Sequence, residues 1–151
     1  MNDINEKEND EVKENLPKQT ITNLLLTGNL VYEKSAEHLK QYALSVEQYN
    51  VLTVLKKLKG EPANLATIQN SMTSKMSNTT RLVEKLRLKG LLTREQSQEN
   101  RRKVEILITQ KGVLLLKEIE KAQIRKEKEI MKSLTKRDMV TLNKLLNKIR
   151  Q

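Results

Sequence analysis

The sequence predicts a mainly α (α+β) fold, with long helices at both ends flanking three short helices and one β-hairpin. Three observations predict it. Apolar residues recur at helical spacing over most of the chain. Polar caps and glycines punctuate its middle into short pieces. The period then switches from about 3.6 to 2 only between Leu92 and Ile108.

The elements follow in order. Residues 1–16 are polar and carry six acids against two bases in the first 15, which predicts a disordered acidic tail closed by Pro17. From Lys18 to about Leu44, Ile21, Leu24, Leu25, Tyr32, Ala36, Leu39 and Ala43 predict one long helix, so residues 17–44 read as an N-terminal dimerisation helix. Ser45-Val46-Glu47-Gln48 is a capping box and opens a helix with Tyr49, Leu52, Leu55 and Leu58 on one side, stopped at Gly60. Asn64 caps a third helix carrying Leu65, Ile68 and Met72. A turn at Thr73-Ser74-Lys75 leads to a fourth, about 76–89, with Leu82, Val83 and Leu86 inward and Gly90 as its stop.

After Gly90, Leu92 to about Gln96 and Lys103 to Ile108 predict two strands, with the polar Ser97–Arg102 as their exposed connection. Thr109 caps a helix running to about residue 132, and Thr135 opens the last, with Met139, Leu142, Leu145, Leu146 and Ile149 apolar. Residues 45–110 thus form the central domain and 111–151 the C-terminal dimerisation helices. The terminal stripes exceed what one small domain covers, which predicts a homodimer.

Composition excludes several function classes. With no Cys and a single His, His38, there is no disulfide framework, thiolate metal site or thiol switch. His38 alone makes no metal site and reads as a surface or interface residue. With four Gly and no GxGxxG, no phosphate-cradling loop is present, and no Ser-His-acid or Cys-His set emerges. Neither enzyme nor cofactor nor metal is expected. No apolar run reaches the roughly 18 residues of a membrane span, and the acidic start is unlike a signal peptide, so a cytoplasmic protein without a membrane partner is expected.

Charge supplies the positive signal. The chain carries 29 Lys and Arg against 19 Asp and Glu, a net of +10. Because residues 1–15 contribute −4, residues 16–151 carry +14, a field suited to a polyanion. The basic residues concentrate from Lys75 to Lys103, with nine bases against three acids.

The two helices at about 64–72 and 76–89 match a helix-turn-helix, in which the N-terminal residues of the second helix reach base edges in the major groove of duplex DNA. Ser74, Lys75, Ser77, Asn78, Thr79, Arg81 and Lys85 fall there. Arg suits guanine O6 and N7, Asn suits adenine N6 and N7, and hydroxyls serve base or phosphate. The hairpin that follows, with Arg94, Asn100, Arg101, Arg102 and Lys103, reads as a wing whose Arg enters the narrow, electronegative minor groove.

These same residues resemble the MarR family over about Ser45 to Leu116. Leu44 through Leu52 is similar to its opening LTxxQ(Y/F)xVL. Ser77 through Leu86, followed by Lys89-Gly90-Leu91-Leu92, resembles TRLVDRLexkGLV. Asn100-Arg101-Arg102 through Ile108-Thr109 and Gly112 resembles the wing pattern DxRxxxVxLTxxG. The resemblance implies a triangular dimer of winged helix-turn-helix lobes, with Arg102 as the minor-groove residue. The chain departs from the pattern at Asn100, where the family usually has Asp. Members often bind anionic aromatic effectors beside the lobe, which makes Tyr32, Tyr42 and Tyr49, the only aromatics, candidate pocket residues, with core or interface packing as their alternative role.

The function expected is a homodimeric regulator, a repressor, on an inverted-repeat operator, with release by a small-molecule effector compatible with it. The alternative is a basic helical protein that meets an acidic partner or an anionic membrane.

Overall fold

The structure is a computed structural model describing residues 2–72, 78–98, 100 and 103–151, with side chains described from residue 15 onward. It divides into two compact units, Met1–His38 and Leu39–Gln151.

The first unit is almost wholly one helix, α1 (Asn2–Lys40), whose last residues fall in the second unit. It differs from expectation at its start. Residues 2–16, expected as a disordered tail, are helical, and Pro17 lies inside the helix rather than ending it. Residues 2–16 hold no Gly, their four Glu and two Lys are good helix formers that offset four Asn and two Asp, and acids suit a helix N-terminus. Pro17 removes one backbone donor without stopping the helix. Leu16, Ile21, Leu25, Leu26, Leu30 and Tyr32 of α1 are exposed, while His38, expected at a surface or interface, is buried.

The second unit opens at a corner. Leu44 N–H bonds to the Leu39 carbonyl and Ala43 N–H to that of Lys40, the paired bonds of a left-handed helix stop, with Ala43 at φ 53°. Helix α2 (Val46–Lys57) then starts on the predicted capping box: Ser45 Oγ accepts from Gln48 N–H, and Gln48 Oε1 accepts from Ser45 N–H. Gly60 has φ +99° at its far end. Helix α3 (Leu65–Ser71) is capped by Asn64, and α4 (Thr79–Leu88) follows.

Strands β1 (Leu92–Gln96) and β2 (Val104–Ile108) pair antiparallel from Leu92↔Ile108 to Gln96↔Val104. A bridge between Ala63 and Ile106 adds a short third edge that the sequence reading missed. Helices α5 (Gln110–Ile130), capped by Thr109, and α6 (Lys136–Ile149), capped by Thr135 with Asp138, complete the chain.

The core is aliphatic. Val51, Leu52, Ile68, Val83, Leu86, Ile106, Leu116 and Ile119 are fully buried, joining α2, α3, α4, β2 and the first half of α5. Tyr49 and Leu58, expected inward on α2, pack at its edge instead, and Gln48 and Val51 take the buried positions. Lys56 and Glu120 tie α2 to α5 at 2.6 Å in a half-exposed pair, worth at most about 1 kcal/mol. Gly112 lets α5 lie directly on the backbone at Leu91. No residue of α6 is buried.

Candidate nucleic-acid interface

Helix α4 is amphipathic with a sharp division. Thr79, Val83 and Leu86 face the core at i, i+4 and i+7. Asn78, Arg81, Lys85 and Leu88 recur at i, i+3, i+7 and i+10, and all four are exposed on the opposite side. Thr80 and Arg87 are exposed beside them. A helix held by one apolar face must present the other to solvent, and here that face begins at the helix N-terminus.

The helix starts later than expected, at Thr79 rather than about 76, with Asn78 as its cap. Asn78 Oδ1 accepts the Arg81 N–H at 3.0 Å, so the acceptor half of its amide is engaged and its Nδ2 donor remains. The cap uses one lone pair of that oxygen and leaves the second lone pair and the Nδ2 donors for a partner outside the helix. Thr79, expected among the groove-facing residues, is 6% exposed. The reason is periodicity: it lies four residues before Val83 and seven before Leu86, on their face. That signal was present in the sequence, and so was the one for Thr80, which the sequence reading passed over.

The charges on this face differ in availability. Glu84 and Arg87 form a two-pronged pair at 2.7 and 3.0 Å, which holds the Glu84 carboxyl below its ordinary range and raises Arg87. Among the described residues, neither Arg81 nor Lys85 is in an ion pair.

The hairpin stands next to α4 in the chain. Ser97 N–H donates to the Lys103 carbonyl at 2.9 Å and Lys103 N–H to that of Asn100 at 2.8 Å, which narrows the connection between the strands. Asn100 and Lys103 are exposed and Ser97 is buried. Arg94 sits mid-strand opposite Ile106 and lines, with Glu84 and Arg87, the hollow between α4 and β1, so it belongs to the junction and not to the tip. Ser74, Lys75, Ser77, Arg101 and Arg102 lie outside the described residues.

Tyr42 and Tyr49 are half-buried against the core of the second unit, and Tyr32 is exposed on α1 in the first. Burial pushes the Tyr49 phenol above its ordinary value. Among the described residues no group of three or more His, Asp and Glu could hold a metal ion, and no helix is long and apolar enough to cross a membrane.

The MarR family model matches residues 44–104. A MarR transcription factor from Planctomyces limnophilus is 27% identical, with 86% of this chain and 94% of that one covered and a TM-score of 0.69. A variant of Escherichia coli MarR in complex with operator DNA is 18% identical, covers 89% and 96%, and has a TM-score of 0.79. Bordetella bronchiseptica BpsR, whose DNA binding is regulated by 6-hydroxynicotinic acid, is 19% identical, covers 85% and 90%, and has a TM-score of 0.75. No curated protein matches the chain.

Proposed function

We propose that this chain, a winged-helix transcription regulator of the MarR family, acts as a homodimeric repressor on an inverted-repeat operator. It is a regulator and not an enzyme, so its chemistry is recognition. One observation carries the reading: the exposed stripe Asn78–Arg81–Lys85, which begins at the N-terminus of the second helix of a helix-turn-helix and runs to its last turn, holds two cations outside any ion pair among the described residues. In that motif this end enters the major groove.

The residue roles follow from their exposure and chemistry. Arg81 is assigned to a base edge, its guanidinium matching guanine O6 and N7. Asn78, its carbonyl oxygen held by the cap, donates through Nδ2 to a groove acceptor such as a purine N7. Lys85, one turn on, meets phosphate. Thr80 takes the hydroxyl role first given to Thr79. Asn100, Arg101, Arg102 and Lys103 form the wing, with Arg102 in the minor groove, while Arg94 supports the wing from its base. Ser74, Lys75 and Ser77 complete the approach to the helix.

The dimer is supported by what the monomer leaves uncovered. Val140, Leu142, Leu145 and Ile149 of α6 are exposed on a helix with no buried residue, and a second copy is the partner that the terminal helices fit. A small-molecule effector that releases the operator is proposed by likeness to BpsR, with Tyr42 and Tyr49 at the edge of the core as its aromatic contacts.

Selection of bound duplexes from a random pool, repeated at two salt concentrations, tests the reading. Recovery of a two-fold symmetric motif with half-sites about 10–11 bp apart is expected. Recovery of no motif at either salt overturns it. Arg81→Ala should weaken operator binding by about 1–3 kcal/mol and relax one base position in each half-site.

A further inference from the structure

The C-terminal end of α4 is bonded on two sides, and one of those bonds has no part in the roles above. Lys89, the residue that ends α4, sends its ammonium away from the exposed stripe to the corner that precedes α2. There it donates to the carbonyl of Ala43, the residue in left-handed conformation, and lies 3.4 Å from Gln48 Oε1. That oxygen already accepts the Ser45 N–H at 3.1 Å on a side chain only 6% exposed. From the other side, Lys111 Nζ donates to the Lys89 carbonyl and Thr109 Oγ1 to that of Gly90, both at 2.8 Å.

We infer that Lys89 is a positioning residue for DNA recognition: it tethers the end of α4 to the Ala43–Gln48 corner and so fixes the pitch at which the helix enters the groove, without touching DNA. The inference rests on the DNA-binding reading of α4.

Geometry makes the tether consequential. Ten residues make α4 about 15 Å long. A tilt of about 10° around its C-terminal anchor would move the Asn78 end by roughly 2.6 Å and Arg81, about 12 Å from the anchor, by roughly 2.1 Å, more than the tolerance of a hydrogen bond to a base edge. The ties to Lys111 and Thr109 hold the same end to the start of α5, and Val83 and Leu86 hold the inner face to the core. The Lys89 side chain adds the tie that runs to the corner. An ammonium also suits the site, because the last carbonyls of a helix carry partial negative charge.

The test uses the full-length protein and the duplex that the wild type selects, beside a scrambled duplex of equal length. Lys89→Met keeps the stem and removes the donors, and Lys89→Arg restores them. Operator affinity of Lys89→Met should fall by about tenfold, with thermal stability and scrambled-duplex affinity near wild type and the salt dependence unchanged; Lys89→Arg should recover most of the loss. Operator affinity equal to wild type in Lys89→Met overturns the inference. So does an equal loss on both duplexes, or a log–log salt slope reduced by one unit or more, since either would place the ammonium on phosphate. Should Lys89→Met fail to fold, Lys89→Gln carries the same comparison. A wild-type protein that selects no duplex overturns the DNA-binding reading itself, and that result is read before any variant is made.

Discussion

Single atoms decide two positions in the lobe. A Cβ on Gly112 would lie 2.3 Å from the Leu91 carbonyl oxygen and 2.8 Å from Ile108 Cγ1. The first neighbour is backbone already committed to the Thr109 N–H at 3.1 Å, so it has little freedom to retreat. Gly112→Ala should therefore destabilise the lobe by about 1–3 kcal/mol, the usual range for overpacking a closed contact, read as a lower urea midpoint. An unchanged midpoint would mean that α5 shifts at no cost. Asn78 separates two roles held by one amide. Asn78→Asp keeps a good cap acceptor for the Arg81 N–H but loses both donors and adds a negative charge facing the groove. Stability should hold while operator affinity falls at least tenfold, by gel shift and thermal melt on the same preparation. A melt that drops in parallel would assign Asn78 to capping alone.

At the scale of elements, the starts of four capped helices were legible from their caps, while the cap of α4, Asn78, was passed over and its start expected at about 76. Ser45, Asn64, Thr109 and Thr135 each accept a backbone N–H three residues on, as their types predicted. The failures have physical causes of their own. Pro17 looked like a stop because proline removes a donor, yet residues 2–16 suit a helix well enough to continue through it. The bridge from Ala63 to Ile106 joins residues 43 positions apart, and no local pattern announces a pairing so brief and so distant. Of the candidate site, the cationic stripe was readable from spacing, but the tie from Lys89 to Ala43 was not, because a lysine's reach is set by the tertiary fold. Helix α6 shows what a readable stripe leaves undone. Its cap is complete, with Thr135 and Asp138 bonded reciprocally, yet none of its apolar residues is buried. Leu145→Glu should leave the lobe folded and shift the protein to monomer mass by light scattering. The cap also makes α6 acid-sensitive. Bonds from the Thr135 hydroxyl and N–H hold Asp138 below the ordinary aspartate value, so its contribution is present above that value and lost as pH falls through the lowered one. The acid limb of helicity should flatten in Asp138→Asn.

For the whole molecule the governing quantities are charge and symmetry. The net charge of +10 divides unevenly, with −4 on the first 15 residues and +14 on the rest. In the dimer proposed above this basic part of the chain would be present twice, so affinity for DNA should fall steeply with salt, each neutralised phosphate contributing close to 0.9 to the log–log slope. Symmetry sharpens this into a count. Lys85 is exposed on the α4 stripe, lies outside any ion pair among the described residues, and stands in the last turn of the helix, away from the end assigned to base edges. In a two-fold complex every Lys85→Ala substitution removes two phosphate contacts. The slope should therefore shrink by about 1.8, and affinity should fall by similar factors on operator and scrambled duplex. A decrease near 0.9 would mean that only one lobe engages, contradicting the inverted repeat. No decrease would take Lys85 off the phosphates and leave Arg81 and the wing to hold the duplex.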